Sequence, residues 1–196
     1  MTITVVKRPI RLIFIVSLPM VVTVVPAGAD DNTRRLEESR VVVAAFASRL
    51  QSKLRGAMQN GGPTAAITVC KDVALQIALE LSRETGTRVS RTSLRYRNPS
   101  NAPEPWQTVV LQEFDQRAAS TDQDGPLEHI EESSSGVRYM KAIRTGPLCL
   151  TCHGQSLSEP VSAALAEHYP QDMATGYEAG DIRGAFSIVW PSHESL

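Results

Sequence analysis

Cys149-Leu150-Thr151-Cys152-His153-Gly154 carries the densest chemical potential in the chain. Two cysteines separated by two residues and followed directly by a histidine form the attachment pattern for haem c. The spacing suits the chemistry, because the two thiols add to the two vinyl groups on one edge of the porphyrin. The adjacent imidazole is then held under the iron as its proximal ligand. Cys149 and Cys152 are therefore the expected attachment residues and His153 the expected iron ligand. A zinc site would need a second ligand pair at matching spacing, which the sequence lacks. A thioredoxin-like redox pair would need a βαβ context near the start of the chain, and none is present.

The remaining cysteine is Cys70. With the motif pair used for attachment, it is a quiet buried thiol, a reactive thiol or an iron ligand. Other candidates for the distal side of the iron are Met140, Met173, His129 and His168. Each also has an ordinary reading as a hairpin, loop or helix-face residue.

Residues 1 to 29 read as a signal peptide. Lys7, Arg8 and Arg11 form a basic front, Leu12 to Val25 an apolar run, and Ala27-Gly28-Ala29 a small-residue cleavage site. The run is shorter than a membrane span requires and is followed by Pro26, so cleavage is expected in preference to retention as an anchor. Export places the protein in the periplasm, where haem c is attached, with no stable membrane span once the segment is removed. The segment holds three basic and no acidic residues, so its loss takes the formal charge from −1 to −4. Such a mildly acidic chain has no basic stripe for nucleic acid, and its partners are proteins or small molecules. Residues 30–196 are enough for one domain with its own core.

The elements that must position the motif follow from periodicity. Val43, Phe46, Ala47, Leu50, Leu54 and Met58 recur at helical steps from about Asp31 to Gln59, ending at Gly61-Gly62. A second helix is expected from Pro63 to Gly86, with Ile67, Cys70, Ala74, Ile77 and Leu81 on one inward face. A short strand spans residues 87–91. Arg91, Arg95 and Arg97 crowd this region, where a guanidinium fork could meet a haem propionate or simply face solvent; Arg97 is the one assigned to the cofactor. A third helix is expected from Pro103 to Ala118, then a polar loop over 119–126. A hairpin follows, Leu127 to Glu132 and Val137 to Ile143 around Ser133-Ser134-Ser135-Gly136. Beyond the motif, Ser158 can cap a short helix. Phe186, Ile188 and Trp190 alternate with Ala185, Ser187 and Val189 in a last strand. Helices followed by local antiparallel hairpins give an α+β domain.

Several runs together resemble one family: Val69-Cys70-Lys71, Arg91-Thr92-Ser93-Leu94, Arg97-Asn98-Pro99, Asn101-Ala102-Pro103, the haem motif, and Gly180-Asp181-Ile182-Arg183-Gly184-Ala185. These are the exported single-haem c-type proteins with a PAS-like fold, similar to sensor modules of bacterial signalling proteins. The resemblance spans about Pro63 to Pro191. It implies a PAS-like antiparallel sheet with N-terminal helices and a covalently bound haem c, with the iron held by His153 and, from the helix, by Cys70. Small helical cytochromes place their motif near the N-terminus, and four-helix cytochromes lack the hairpin and last strand, so neither fits.

The function implied is redox or diatomic-gas sensing or electron transfer, with a redox or signalling protein as partner. A six-coordinate iron leaves no open position for catalysis, so no enzyme activity is expected. The alternative is a simple periplasmic electron carrier with Met or His as sixth ligand.

Overall fold

The computed structural model describes residues 27–120 and 125–192. The proposed signal peptide therefore lies outside the described residues except for its last three, and residues 121–124 of the polar loop lie outside them too. Among the described residues, no helix is long and apolar enough to cross a membrane.

Helix α1 (Ala27–Thr68) is broken where the sequence places two glycines and a proline. Gly62 has φ 71 and ψ −167, a conformation outside the helical region, and Pro63 restarts the helix with its fixed φ. The second helix thus begins where expected, but it is not uniform. A π-turn spans Val69–Val73 before α2 (Ala74–Thr85) resumes and is ended by Gly86. Next come β1 (Arg88–Thr92), α3 (Pro105–Ala119), the hairpin β2 (Glu128–Ser133) and β3 (Gly136–Arg144), and α4 (Leu150–His153) carrying the motif. Helix α5 (Glu159–His168) and β4 (Ile182–Pro191) complete the chain. Ser158 occupies the N-cap position of α5 as expected, yet its side chain makes no capping bond.

The four strands form one antiparallel sheet in the order β1-β4-β3-β2. This is the α+β architecture anticipated from the sequence, with helices on both faces. Strand β4 is buried on both sides because it is central, and its period-2 alternation sorts its side chains between two cores. Phe186, Ile188 and Trp190 join Val43, Phe46, Ile77 and Leu81 of α1 and α2. Ala185 turns the other way, toward Val110, Leu111 and Phe114 of α3. Strand β3 divides similarly, with Tyr139 on the α1 side and Met140 on the α3 side. A side chain such as Phe46, 1 % exposed, contributes about 1.5–3 kcal/mol by leaving water.

One buried polar bond pins each face of β4 to its helix. Trp190 Nε1 donates to Ser39 Oγ of α1 at 2.9 Å, and Gln107 Nε2 of α3 donates to Ser187 Oγ at 3.0 Å. A third apolar cluster, Ile67, Val161, Leu165 and Tyr169 with Cys152 against it, packs the end of α1 and helix α5 around the motif.

Strand β4 enters the sheet through an irregularity. Ile143 pairs with Gly184 but Arg144 pairs with Ile182, leaving Arg183 as the extra residue of a bulge. Gly184 has φ 152, and a β-carbon there would run into the Thr92 carbonyl oxygen of β1. Gly184→Ala is expected to lower stability by at least about 2 kcal/mol, combining backbone strain with a forced separation of β1 from β4. Denaturant unfolding of the two proteins measures the difference, and an unchanged midpoint would contradict the close approach described.

Candidate functional site

A cavity of about 320 Å³ lies between the helices and the edge of the sheet, within the size range of small-molecule and cofactor pockets. Phe46, Leu50, Leu54 and Met58 of α1 form an apolar wall, and Ile67, Cys70 and Ala74 extend it along the second helix. Cys149, Cys152 and His153 close it from the motif side. The motif residues, singled out by their spacing, and Cys70, singled out by the family resemblance and more than seventy positions away in the chain, thus meet at one cavity.

The chain positions them by distinct local means. Cys70 sits inside the π-turn Val69–Val73, and such turns are frequent where a helix must re-aim a functional side chain. Its neighbours on the inward stripe, Ile67, Ala74, Ile77 and Leu81, are buried, whereas Cys70 is half-buried and faces the cavity. Cys149 ends a 3₁₀ turn (Pro147–Cys149), and Cys152 and His153 follow in α4. No disulfide joins the three cysteines, and burial pushes the Cys152 thiol up.

His153 Nδ1 lies 2.7 Å from the Ala174 carbonyl oxygen. A carbonyl only accepts, so Nδ1 carries the proton and Nε2 keeps its lone pair. Among the described residues no hydrogen bond engages Nε2. Burial holds the imidazole neutral, pushing its pKa down to about 2, and the cations of Arg183, Arg97 and Arg91 add to the effect while the Ala174 bond opposes it. A neutral imidazole with its far nitrogen tied to a carbonyl is the usual state of a metal-ligating histidine.

The carbonyl that orients His153 is itself fixed. Asp172 Oδ1 accepts from the Ala174 N–H at 2.7 Å, and Asp172 Oδ2 pairs with Arg97 Nε at 3.0 Å. Arg97 Nη2 then donates to the carbonyls of Cys152 and Ala174. Tyr177 N–H and Gly176 N–H donate to the carbonyls of His153 and Gly154, both at 2.9 Å. Tyr177 also meets the His153 ring edge-on.

Arg97, expected to serve the cofactor, lines the cavity, but its Nε and Nη2 are committed to Asp172 and to these carbonyls. The other distal candidates are not brought to the cavity. Met140 is fully buried in the core on the opposite face of the sheet, Met173 is 44 % exposed, and neither His129 on β2 nor His168 on α5 lines the cavity. Met58 does line it, although its position on the α1 stripe reads as core packing. Asp172 and Arg183 also belong to the site. Arg183 carried a signal, lying in the Gly180–Ala185 run of the resemblance; Asp172 carried none.

The comparisons with known proteins bear on this arrangement. The Tll0287-like family model matches residues 29–191. The chain belongs to the Tll0287-like family. Among solved structures it is similar to the cyanobacterial heme-protein Tll0287, with 26% identity, a TM-score of 0.63, and coverage of 82% of this chain and 97% of that one. Among curated proteins nothing matches. The Tll0287-like match begins within α1, so it includes the first helix, which has no signature legible in the sequence.

The buried neutral imidazole generates a pH dependence. The unfolded chain protonates His153 near its ordinary pKa of 6.5, whereas the folded cofactor-free chain does so only near 2. Below about 6.5 the unfolded state therefore binds more protons, and stability falls as pH falls through this window. Cofactor-free protein is expected to lose stability from pH 7 to pH 4, with a His153 contribution to the slope that approaches one proton below about pH 5.5 and that His153→Gln removes. Chemical denaturation across that range tests it, and an equal slope in both proteins would contradict the assignment.

Proposed function

We propose that the protein is an exported monohaem c-type haem protein, with haem joined to Cys149 and Cys152 and iron held by His153 and Cys70. The reading rests on one observation above the others: His153, locked by Ala174 into the tautomer that leaves Nε2 free, shares a cavity with all three cysteines. The description of the similar cyanobacterial structure as a heme-protein supports the same cofactor.

The residues fit that group. Two thiols one helical turn apart can take the two vinyl edges, imidazole and thiolate are both established axial donors to haem iron, and an apolar wall of Phe46, Leu50 and Leu54 excludes water. When bound, haem supplies a one-electron couple and a centre able to take a diatomic ligand if an axial ligand leaves. The chain sets the conditions for both. His153 cannot rotate without breaking its bond to Ala174, and Ala174 cannot shift without breaking the Asp172–Arg97 pair. Cys70 is held by the π-turn, the least regular part of its helix, which suits a ligand that must move.

The role we infer is redox or diatomic-gas sensing or electron transfer in the periplasm, with a redox or signalling protein as partner and no enzymatic turnover. A Cys70 thiolate on the iron would favour the ferric state, so its hold, and with it the access of a small ligand, would depend on redox state. A specific observation favours one alternative, an electron carrier with a thioether ligand. Met58 lines the cavity while the methionines and histidines first considered do not.

Cys70→Ser and Met58→Leu separate the two. Thiolate ligation predicts that Cys70→Ser abolishes the wild-type low-spin ferric signal in electron paramagnetic resonance. It should also raise the potential by on the order of 100 mV, a fraction of the ~0.8 V that axial ligands span. Met58→Leu should change neither. The opposite pattern would assign the sixth position to Met58 and the protein to simple electron transfer.

A further inference from the structure

Of the five cationic side chains that line the cavity, Arg97 alone has an ion pair among the described residues. Lys71 and Arg95 are exposed, Arg95 reaching the Met173 carbonyl and the Tyr177 ring, which leaves two half-buried cations without a counter-ion in the cavity. Arg91 of β1 and Arg183 of the β4 bulge both line it. Among the described residues neither guanidinium makes an ion pair or a side-chain hydrogen bond, in contrast to Arg97 with Asp172, Arg88 with Glu104 and Arg49 with Glu84. Among the described residues the Arg91 guanidinium meets the face of Phe46, 5.6 Å to the ring centroid. The two cations also disfavour one another: Arg91 is pushed down to about 10, by burial first and by Arg183 second, with Cys70 and Tyr169 opposing.

Burying like charges together is costly unless something neutralises them. The fold nevertheless goes out of its way to do it. Regular alternation would aim Arg183 elsewhere; the bulge between Ile143 and Arg144 re-aims it, and Gly184 permits the close approach to Thr92 that the bulge requires. Arg91 is fixed by its register opposite Phe186, on the sheet face covered by α1 and α2. Each guanidinium fork matches one carboxylate in geometry, so the pair suits an anion that carries two.

Building on the haem reading above, we propose that Arg91 and Arg183, and not Arg97, receive the two haem propionates. The charges then close. Ferric iron, the porphyrin dianion and one thiolate sum to zero, and two propionates balance two guanidiniums. Arg97 is left to its structural role between Asp172 and the motif carbonyls. Without the cofactor, Arg91 and Arg183 repel each other and destabilise the fold; with it, they hold the propionate edge.

The test uses haem-loaded protein bearing Arg91→Gln or Arg183→Gln, with Arg88→Gln, on the same strand but outside the cavity, as control. Resonance Raman reads the propionate bending mode, which responds to hydrogen bonds at the propionates, and a potential titration reads the loss of positive charge. Both cavity variants are expected to shift the bending mode. They should also move the ferric/ferrous equilibrium about tenfold toward ferric, about 59 mV for one electron, and Arg88→Gln should do neither. Should a Gln variant fail to accumulate, Arg91→Lys and Arg183→Lys keep the charge. These should hold the potential near wild type while still shifting the bending mode. Haem-loaded variants with an unmoved bending mode would overturn this assignment and leave the haem reading standing. A wild-type protein that carries no haem would instead overturn the haem reading.

Discussion

The arrangement depends on the guanidinium of Arg97. Its side chain is 9% exposed, it pairs with Asp172 at 3.0 Å, and it donates to the carbonyls of Cys152 and Ala174. Three stretches that share no regular secondary structure are thereby held at fixed distance: the segment leaving β1, the motif helix, and the loop that supplies the acceptor for His153. Breaking a buried pair of this kind by removing one partner typically costs 3–5 kcal/mol, because the surviving charge is left without water or counter-ion. The orientation of His153 is therefore a consequence of packing around Arg97 and of the Ala174 carbonyl, and not of the motif by itself.

From that clamp outward, the sheet separates two kinds of interior. The face toward α3 is a closed apolar core containing Met140 and Phe114. The face toward α1 and α2 is a core only over part of its extent; it opens into the cavity where Arg91, Arg183 and Cys70 gather. A protein that needed only stability would fill this space with aliphatic side chains and pair or expose its arginines. The uncompensated cations and the π-turn at Cys70 are local departures from the most stable choice, and such departures concentrate where a ligand restores the balance.

Much of this was legible in the residues. The three- and four-residue steps through Ile67, Cys70, Ala74, Ile77 and Leu81 located an inward helix face, and the alternation of Phe186, Ile188 and Trp190 located the central strand. Gly62 and Pro63 marked the break between helices, because few other residues satisfy the backbone there. What periodicity could not show was whatever breaks it. The π-turn inserts a residue that the three- and four-residue steps do not mark, and the bulge at Arg183 depends on pairing with the distant strand β3. The commitment of Arg97 to Asp172, 75 positions away, is a tertiary contact without local signature. Met140 illustrates the limit from the other side. Its place on the same strand face as Ala142 could be read from the sequence, but which face carries the cavity could not.

The central claim is that this cavity is built around a haem bonded to Cys149 and Cys152. The most direct measurement is haem staining after denaturing electrophoresis of the protein made in a host that attaches haem c, beside Cys149→Ala/Cys152→Ala. A stained band at the position of the wild-type chain, resistant to acid-acetone extraction and absent from the double variant, is the predicted result. Haem that separates from the wild-type chain on denaturation, or a wild-type chain that carries none, would contradict the account.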